Sequence, residues 1–222
     1  MGLMDKQQLL TLLLRALVML VAIPVHEAAH ALVSAKLGDA TAKEQGRLTL
    51  NPLAHFDLLG AACMIFTGIG WAKPVPTYPS RFKNPKTGMA LTAAAGPAAN
   101  LAVAFAAMTV YKMVYYALPA GVAVNFLLLF LQYMASMNVT LAVFNLLPVP
   151  PFDGSRIATV FLPRRLYFQI MQYERYIFAG VFILLFFGFL DGPLYWLNRL
   201  AWNFLLWATS FVDAAVFAIA GV

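Results

Sequence analysis

Cysteine and charged residues are both scarce in this sequence. The single cysteine, Cys63, excludes an intramolecular disulfide and a metal site built from cysteine ligands. Only 11% of the 222 residues are charged, whereas a soluble globular domain typically has about 25%. The chain is 62% hydrophobic, its mean hydropathy is +0.78, and several of its apolar runs are long enough to cross a bilayer. These features predict an all-α polytopic membrane protein.

Five apolar runs predict about five transmembrane helices, and the last two are expected to form a C-terminal helical hairpin over about 172–222. The sequence shows no internal repeat and no room for an appended soluble domain. We therefore expect a single integral-membrane domain over residues 1–222, with a core at about 9–160. The predicted spans are residues 9–37, 89–118, 124–147, 176–190 and 194–222.

A shorter apolar segment, residues 58–71, lies between the first two predicted spans. It is too short for a crossing helix, which needs about 20 residues. Basic residues flank it on both sides, among them Arg47 before it and Lys73 after it. One crossing would put these two clusters on opposite sides of the membrane, so we predict a re-entrant or β-like segment instead.

The positions of the basic residues also predict the orientation of the chain. Residues 38–88 and 148–175 are rich in Lys and Arg and are expected in the cytoplasm, whereas the turn at 119–123 has neither and is expected outside. The basic residues that give the chain its net charge of +6 lie at span ends and in loops, as membrane topology requires. Binding to nucleic acid is therefore not expected.

The motif His26-Glu27-Ala28-Ala29-His30 lies within the first predicted span. HExxH places two imidazoles one turn apart on one helix face, where both can bind Zn²⁺, and the Glu can take a proton from a metal-bound water. Shuffling this composition would produce the motif in about one sequence in a few thousand. Ionisable residues are costly in a bilayer and mark functional sites, so a metal site is favoured over two packed histidines.

Catalytic zinc usually has three protein ligands, and the sequence leaves the third open. His55 and Asp57 are possible, whereas Glu44 lies in what looks like a polar loop. Asp153 is the better candidate, because the prolines before it force an extended backbone that can direct a carboxylate into a cavity. Asp153 could equally be the N-cap of a helix that begins near Ser155, and local sequence does not separate these roles.

Three motifs in order resemble the site-2 protease family of intramembrane zinc metalloproteases. They are HEAAH in the first span, Ala95-Gly96-Pro97-Ala98-Ala99-Asn100 in the next, and NLLPVPPFDG, residues 145–154, after the third. The similarity covers roughly residues 20–160. The segments at 50–57, 70–76 and 82–85 look like the compact bacterial branch of the family.

The resemblance implies a site, a cofactor and a place of action. His26, His30 and Asp153 would bind one Zn²⁺ per chain, and Glu27 would be the catalytic base. The fold would have a core of three transmembrane helices with flanking helices. The substrates would be membrane-spanning segments of other proteins in the lipid bilayer. The protein is expected in the bacterial cytoplasmic membrane, with its active site toward the cytosol.

Further residues have candidate roles. Asn145 could stabilise the oxyanion through its amide or make an interhelical hydrogen bond. His55 could be an auxiliary acid, an outer group behind the metal ligands, a fourth ligand or simply a loop cap. Asn100 is expected to allow close helix packing together with Gly96. The strip at residues 68–78 could pair with an unwound substrate, although Pro74 and Pro76 remove donors. The candidates within this strip are Gly70, Trp71, Lys73 and Val75.

Two other functions fit parts of the pattern. A transporter could line an ion path with His, Glu and Asp side chains, but such proteins often show paired halves, which this sequence lacks. A catalytically inactive relative could bind membrane clients, although the intact HEAAH and Asp153 motifs speak against it.

Overall fold

The described part of the chain is built from helices. The computed structural model describes residues 5–57, 72–163, 166, 169–170 and 172–220. Short 3₁₀ turns lie at Pro52–Ala54 and Pro79–Arg81. The α-helices are α1 (Lys6–Lys36), α2 (Thr41–Glu44), α3 (Pro85–Ala117), α4 (Val122–Asn145), α5 (Asp153–Ala158), α6 (Glu174–Phe186), α7 (Asp191–Ala208) and α8 (Ser210–Ala220).

Local sequence explains where the second long helix begins. The side chain of Asn84 accepts a hydrogen bond from the N–H of Thr87, and Pro85 occupies the first helical position. Asn is a favoured N-cap, and proline at this position loses no hydrogen bond because the first N–H groups of a helix have no partner. The α3 helix ends at Ala117, directly before Leu118 and Pro119.

Four helical segments are long and apolar enough to cross a membrane: Lys6–Lys36, Pro85–Ala117, Val122–Asn145 and Asp191–Ile219. This confirms an integral membrane protein, but the predicted count of five spans is not confirmed. The predicted fourth span, residues 176–190, coincides with α6, which has only 13 residues. It is followed by a turn in which Gly188 has a φ of 74°. The predicted re-entrant segment, residues 58–71, lies outside the described residues.

The helices α1, α3 and α4 pack around a common apolar core, and α7 packs against it through Leu205. Large apolar side chains such as Leu13, Phe126 and Trp207 are exposed on the outer surface. Such a surface is expected where lipid tails surround the bundle. The buried cluster consists of Val18, Ala104, Ala107, Met108, Leu131, Met134, Ala135, Val139, Val143 and Leu205.

An ion pair joins the C-terminal helix to this core. Lys112 Nζ of α3 lies 2.5 Å from Asp213 Oδ2 of α8, and Tyr116 Oη donates to Asp213 Oδ1 over 3.1 Å. The side chains of Lys112 and Asp213 are 12% and 28% exposed. Charged groups in membrane helices normally face the bundle and find partners there, as Asp213 does.

Asp39 connects the end of α1 to the segment before α3. Its buried carboxylate accepts hydrogen bonds from the Thr41 hydroxyl over 2.5 Å and from the Tyr78 N–H over 2.6 Å. Burial by itself would raise the pKa of Asp39. These hydrogen bonds and the nearby guanidinium of Arg81 outweigh it, so the pKa lies below its ordinary value. The charged carboxylate therefore joins Tyr78 and Arg81, in the segment before α3, to the end of α1.

Candidate metal centre

The α1 helix places the two motif histidines on its buried face. His26 and His30 are 8% and 7% exposed, and their Nε2 atoms lie 2.9 Å apart. Residues four apart in a helix are neighbours on one face, which brings both imidazoles to the same point. Glu27 follows His26 directly and is half-buried.

Asp153 reaches this point from a distant part of the chain. Its Oδ2 atom lies 3.2 Å from His26 Nε2 and 3.3 Å from His30 Nε2. Asp153 is the first residue of α5, whose N-cap is Phe152, so it does not itself cap the helix. The cap role is therefore not the one it has in this helix, and its carboxylate lies beside both Nε2 atoms.

Glycine after Asp153 allows this approach. A Cβ atom at Gly154 would overlap the backbone carbonyls of Leu146 and Leu147, just beyond the end of α4. Only a residue without a side chain lets α5 begin so close to this backbone. The Asp-Gly pair thus places the carboxylate beside the histidines.

The other ring nitrogens show which atoms can bind a cation. His30 Nδ1 lies 2.7 Å from the carbonyl oxygen of Thr92, and His26 Nδ1 lies 2.5 Å from Asn100 Oδ1. A neutral imidazole that donates through Nδ1 has its lone pair on Nε2. Both Nε2 lone pairs therefore face each other and Asp153 Oδ2.

These three atoms form an electron-rich group that fits a metal ion. They all lie within 4.8 Å of one another. Within the described residues, the buried Asp153 Oδ2 atom has no hydrogen-bond partner. Two lone pairs and a carboxylate oxygen this close repel each other unless a metal ion or a proton lies between them. Two histidines and one carboxylate are a known ligand set of catalytic zinc.

Asn145 and His55, two of the other predicted site residues, make local hydrogen bonds. Asn145 is half-buried at the end of α4, where its amide donates to the Leu141 carbonyl over 2.9 Å. His55 is buried, and its Nε2 lies 2.8 Å from the Thr49 carbonyl oxygen. His55 is not in the group formed by His26, His30 and Asp153.

The predicted substrate strip is described only in part, since Gly70 and Trp71 lie outside the described residues. The backbone N–H of Lys73 donates to the His55 carbonyl over 2.9 Å, and the Lys73 carbonyl accepts from the Arg47 guanidinium. Among the described residues, no hydrogen bond reaches the backbone of Val75. Lys73 is therefore held by the protein itself, whereas the backbone donor and acceptor of Val75 have no partner in the described part of the chain.

The sequence did not predict a role for two residues near the centre, Thr92 and Asn138. Thr92 acts through its backbone carbonyl, which a side-chain pattern cannot reveal. Asn138 is a buried asparagine in the third span, and it hydrogen-bonds to Asn100. A polar residue within an apolar span was the available signal.

Comparison with known proteins finds a family profile that matches most of the chain. The sequence profile of peptidase family M50 matches residues 14–188. The chain is 38% identical over 180 residues to YwhC of Bacillus subtilis (strain 168), provisionally named a zinc metalloprotease, covering 80% of this chain and 82% of that protein.

A second relative extends the comparison to another bacterium. The chain is 29% identical over 196 residues to Rip2 of Mycobacterium tuberculosis H37Rv, also provisionally named a zinc metalloprotease. The alignment covers 82% of this chain and 71% of Rip2. No solved structure matches the chain significantly.

Proposed function

The chain belongs to peptidase family M50 and is an intramembrane zinc metalloprotease of the site-2 type, and from this premise we propose that its zinc is held by His26, His30 and Asp153. The observation that carries the proposal is the meeting of two imidazole nitrogens and one carboxylate oxygen within 3.3 Å. We propose one zinc ion per chain, because these residues form one ligand group. Family membership favours this function over the transporter.

Peptide hydrolysis needs a proton acceptor beside the metal. A bound zinc ion supplies a Lewis acid that polarises the scissile carbonyl and lowers the pKa of water. Glu27 is the proposed catalytic base: it takes a proton from the attacking water and delivers it to the leaving amine. Its place beside His26 on α1 supports this role.

Two further residues have proposed supporting roles. The Asn145 amide is the proposed donor to the oxyanion of the tetrahedral intermediate, for which it would exchange its bond to the Leu141 carbonyl. His55 is proposed as an auxiliary residue that acts through its loop. Its ring bonds the Thr49 carbonyl and its own carbonyl accepts from Lys73, so it braces the chain on both sides of residues 58–71.

The proposed setting is a bacterial cytoplasmic membrane with the active site toward the cytosol. Support comes from the basic residues Lys36, Lys83 and Lys86, which lie at the ends of α1 and α3 nearest the metal centre. The relatives are bacterial.

We propose one protease domain over residues 1–222, with its core at about 9–160 and a hairpin at about 172–222. Within this hairpin, α6 is proposed as a further membrane-embedded helix. The proposed substrates are transmembrane segments of other proteins.

Removal of the Asp153 carboxylate tests the zinc site. We expect purified Asp153→Ala to lose zinc that the wild type retains, because one of three ligands is missing. The loss of affinity should exceed the about 10–100-fold that follows loss of an outer hydrogen-bond partner. Zinc per chain is measured by elemental analysis, and cleavage is measured on a transmembrane model substrate.

The matched control is Asp191→Ala, which removes an exposed carboxylate at the start of α7. This variant should keep zinc and activity. Chelation of the wild type should abolish cleavage, and added zinc should restore it. Full zinc content in Asp153→Ala would exclude Asp153 as a ligand.

The proposed substrate strip makes a separate prediction. A substrate strand that pairs with the strip would accept a hydrogen bond from the Val75 N–H, because Pro74 and Pro76 have none. Val75→Pro should therefore impair cleavage several-fold while zinc content stays intact. Val75→Ala, which keeps the N–H, should cleave as the wild type does. Equal loss in both variants would contradict backbone pairing, and loss of zinc would indicate a purely structural role.

A further inference from the structure

Hydrogen bonds from both zinc-site imidazoles lead to backbone carbonyls. His30 reaches the Thr92 carbonyl directly. His26 reaches one through two side-chain amides, since its Nδ1 lies 2.5 Å from Asn100 Oδ1 and Asn100 Nδ2 donates to Asn138 Oδ1 over 2.7 Å. Asn138 Nδ2 in turn donates to the Met134 carbonyl over 2.9 Å. This chain of bonds joins α1, α3 and α4.

The Met134 carbonyl sets the direction of every bond in the chain. It can only accept, so Asn138 must direct its NH₂ group toward it and its oxygen toward Asn100. Asn100 must then direct its NH₂ toward Asn138 and its oxygen toward His26. The His26 Nδ1 is left as a donor, and its Nε2 keeps a lone pair.

Burial prevents water from reversing this order. Asn100 and Asn138 are both 0% exposed. A second bond holds Asn100 in the same orientation, because its Nδ2 also lies 3.5 Å from the Ala22 carbonyl oxygen of α1. Buried polar groups of this kind are costly when unpaired, so the arrangement with every group paired is strongly preferred.

We propose that Asn138 is a positioning residue for zinc, which acts through Asn100 to keep the lone pair of His26 on the nitrogen that faces the metal. The inference rests on the proposed function, in which His26 is a ligand. Without Asn138, only the longer 3.5 Å bond to the Ala22 carbonyl opposes a half rotation of the Asn100 amide, which would offer its NH₂ to His26 Nδ1. That orientation stabilises the His26 tautomer that carries its hydrogen on Nε2. The Nε2 atom then has no lone pair for the metal.

Two substitutions of Asn138 separate this role from packing. Asn138→Leu keeps the branched shape of the side chain, adds some volume and removes the amide. Asn138→Asp, neutral when buried, keeps the pattern, because its hydroxyl donates to Met134 and its carbonyl accepts from Asn100. We expect a zinc affinity about 10–100-fold lower in Asn138→Leu. Asn138→Asp should remain near the wild type.

Zinc affinity is measured by competition with a chromogenic chelator on detergent-purified full-length protein. The visible absorption of the Co²⁺-substituted protein is a second readout, independent of cleavage. It should weaken or shift in Asn138→Leu and match the wild type in Asn138→Asp. Asn138→Ala serves as the second variant if leucine prevents folding, and it should show the same loss.

The matched control is Asn198→Leu in α7. Asn198 Nδ2 also donates to the carbonyl four residues earlier, that of Leu194, over 2.9 Å. Among the described residues, Asn198 makes no hydrogen bond to His26, His30 or Asp153. It should bind zinc as the wild type does. Equal affinity in wild type and Asn138→Leu, or equal losses in the Leu and Asp variants, would overturn this inference alone. A wild type that binds no zinc would overturn the proposed function with it.

Discussion

Replacement of Glu27 with glutamine is expected to lower cleavage of a transmembrane substrate by about 100- to 10,000-fold, the usual contribution of a positioned general base. Glutamine has nearly the same shape but cannot accept the proton of the attacking water. Zinc content should be unchanged, because the three proposed ligands remain. Zinc per chain and cleavage rate are measured on the same preparation of wild type and of Glu27→Gln.

Glu44→Gln is the matched control for this experiment. Glu44 lies in α2, where its side chain is 66% exposed and its carboxylate is 3.7 Å from the Arg81 guanidinium. The same chemical change there should leave both cleavage and zinc content intact. Substantial cleavage by Glu27→Gln would remove Glu27 from the mechanism. A wild type with zinc but no activity on any membrane substrate would instead favour the inactive relative.

Gly96→Ala is expected to disrupt the metal centre through a single added methyl group. Its Cβ atom would lie 2.5 Å from Cε1 and 2.6 Å from Nε2 of His26, and closer still to His30 Nε2. Ordinary contacts between such atoms need about 3.5 Å. The imidazoles must therefore move, and a shift of about 1 Å can cost about 100-fold in activity.

Zinc binding should fall together with activity in Gly96→Ala, in contrast to Glu27→Gln. The control is Gly180→Ala in α6, where an added Cβ would meet nothing within 4 Å in the described residues beyond its own stretch of helix. That variant should behave as the wild type in zinc content, cleavage and helicity. Normal zinc affinity in Gly96→Ala would show that the two ligands are placed differently from the structure described above.

The membrane spans show how far composition alone predicts this fold. The first three predicted spans correspond closely to α1, α3 and α4, because each is a long apolar run bounded by polar or helix-ending residues. The fourth prediction relied on apolar content as well. In the structure that stretch has a helix of only 13 residues, which ends at Phe186 before the turn at Gly188. Apolar content predicts burial in lipid more reliably than it predicts where a helix ends.

Asp153 and Asn100 show what the local pattern could not separate. The segment before Asp153 was compatible with a ligand and with a helix cap, because both place a carboxylate at the start of a short helix. Only tertiary packing, of α5 on α3 and on the backbone just beyond α4, directs that carboxylate toward the histidines. Asn100 was expected to aid helix packing, and in the structure it also bonds His26.

The sequence by itself determined that this is an integral membrane protein and that His26 and His30 share a helix face. Both follow from short-range rules, the length of apolar runs and the helical repeat of 3.6 residues. Tertiary structure decided which atoms those histidines meet. Their hydrogen-bond partners, Asn100 and Thr92, lie 74 and 62 residues away along the chain. Contacts over such separations depend on how whole helices pack, because no local pattern specifies which distant residue will face a given side chain.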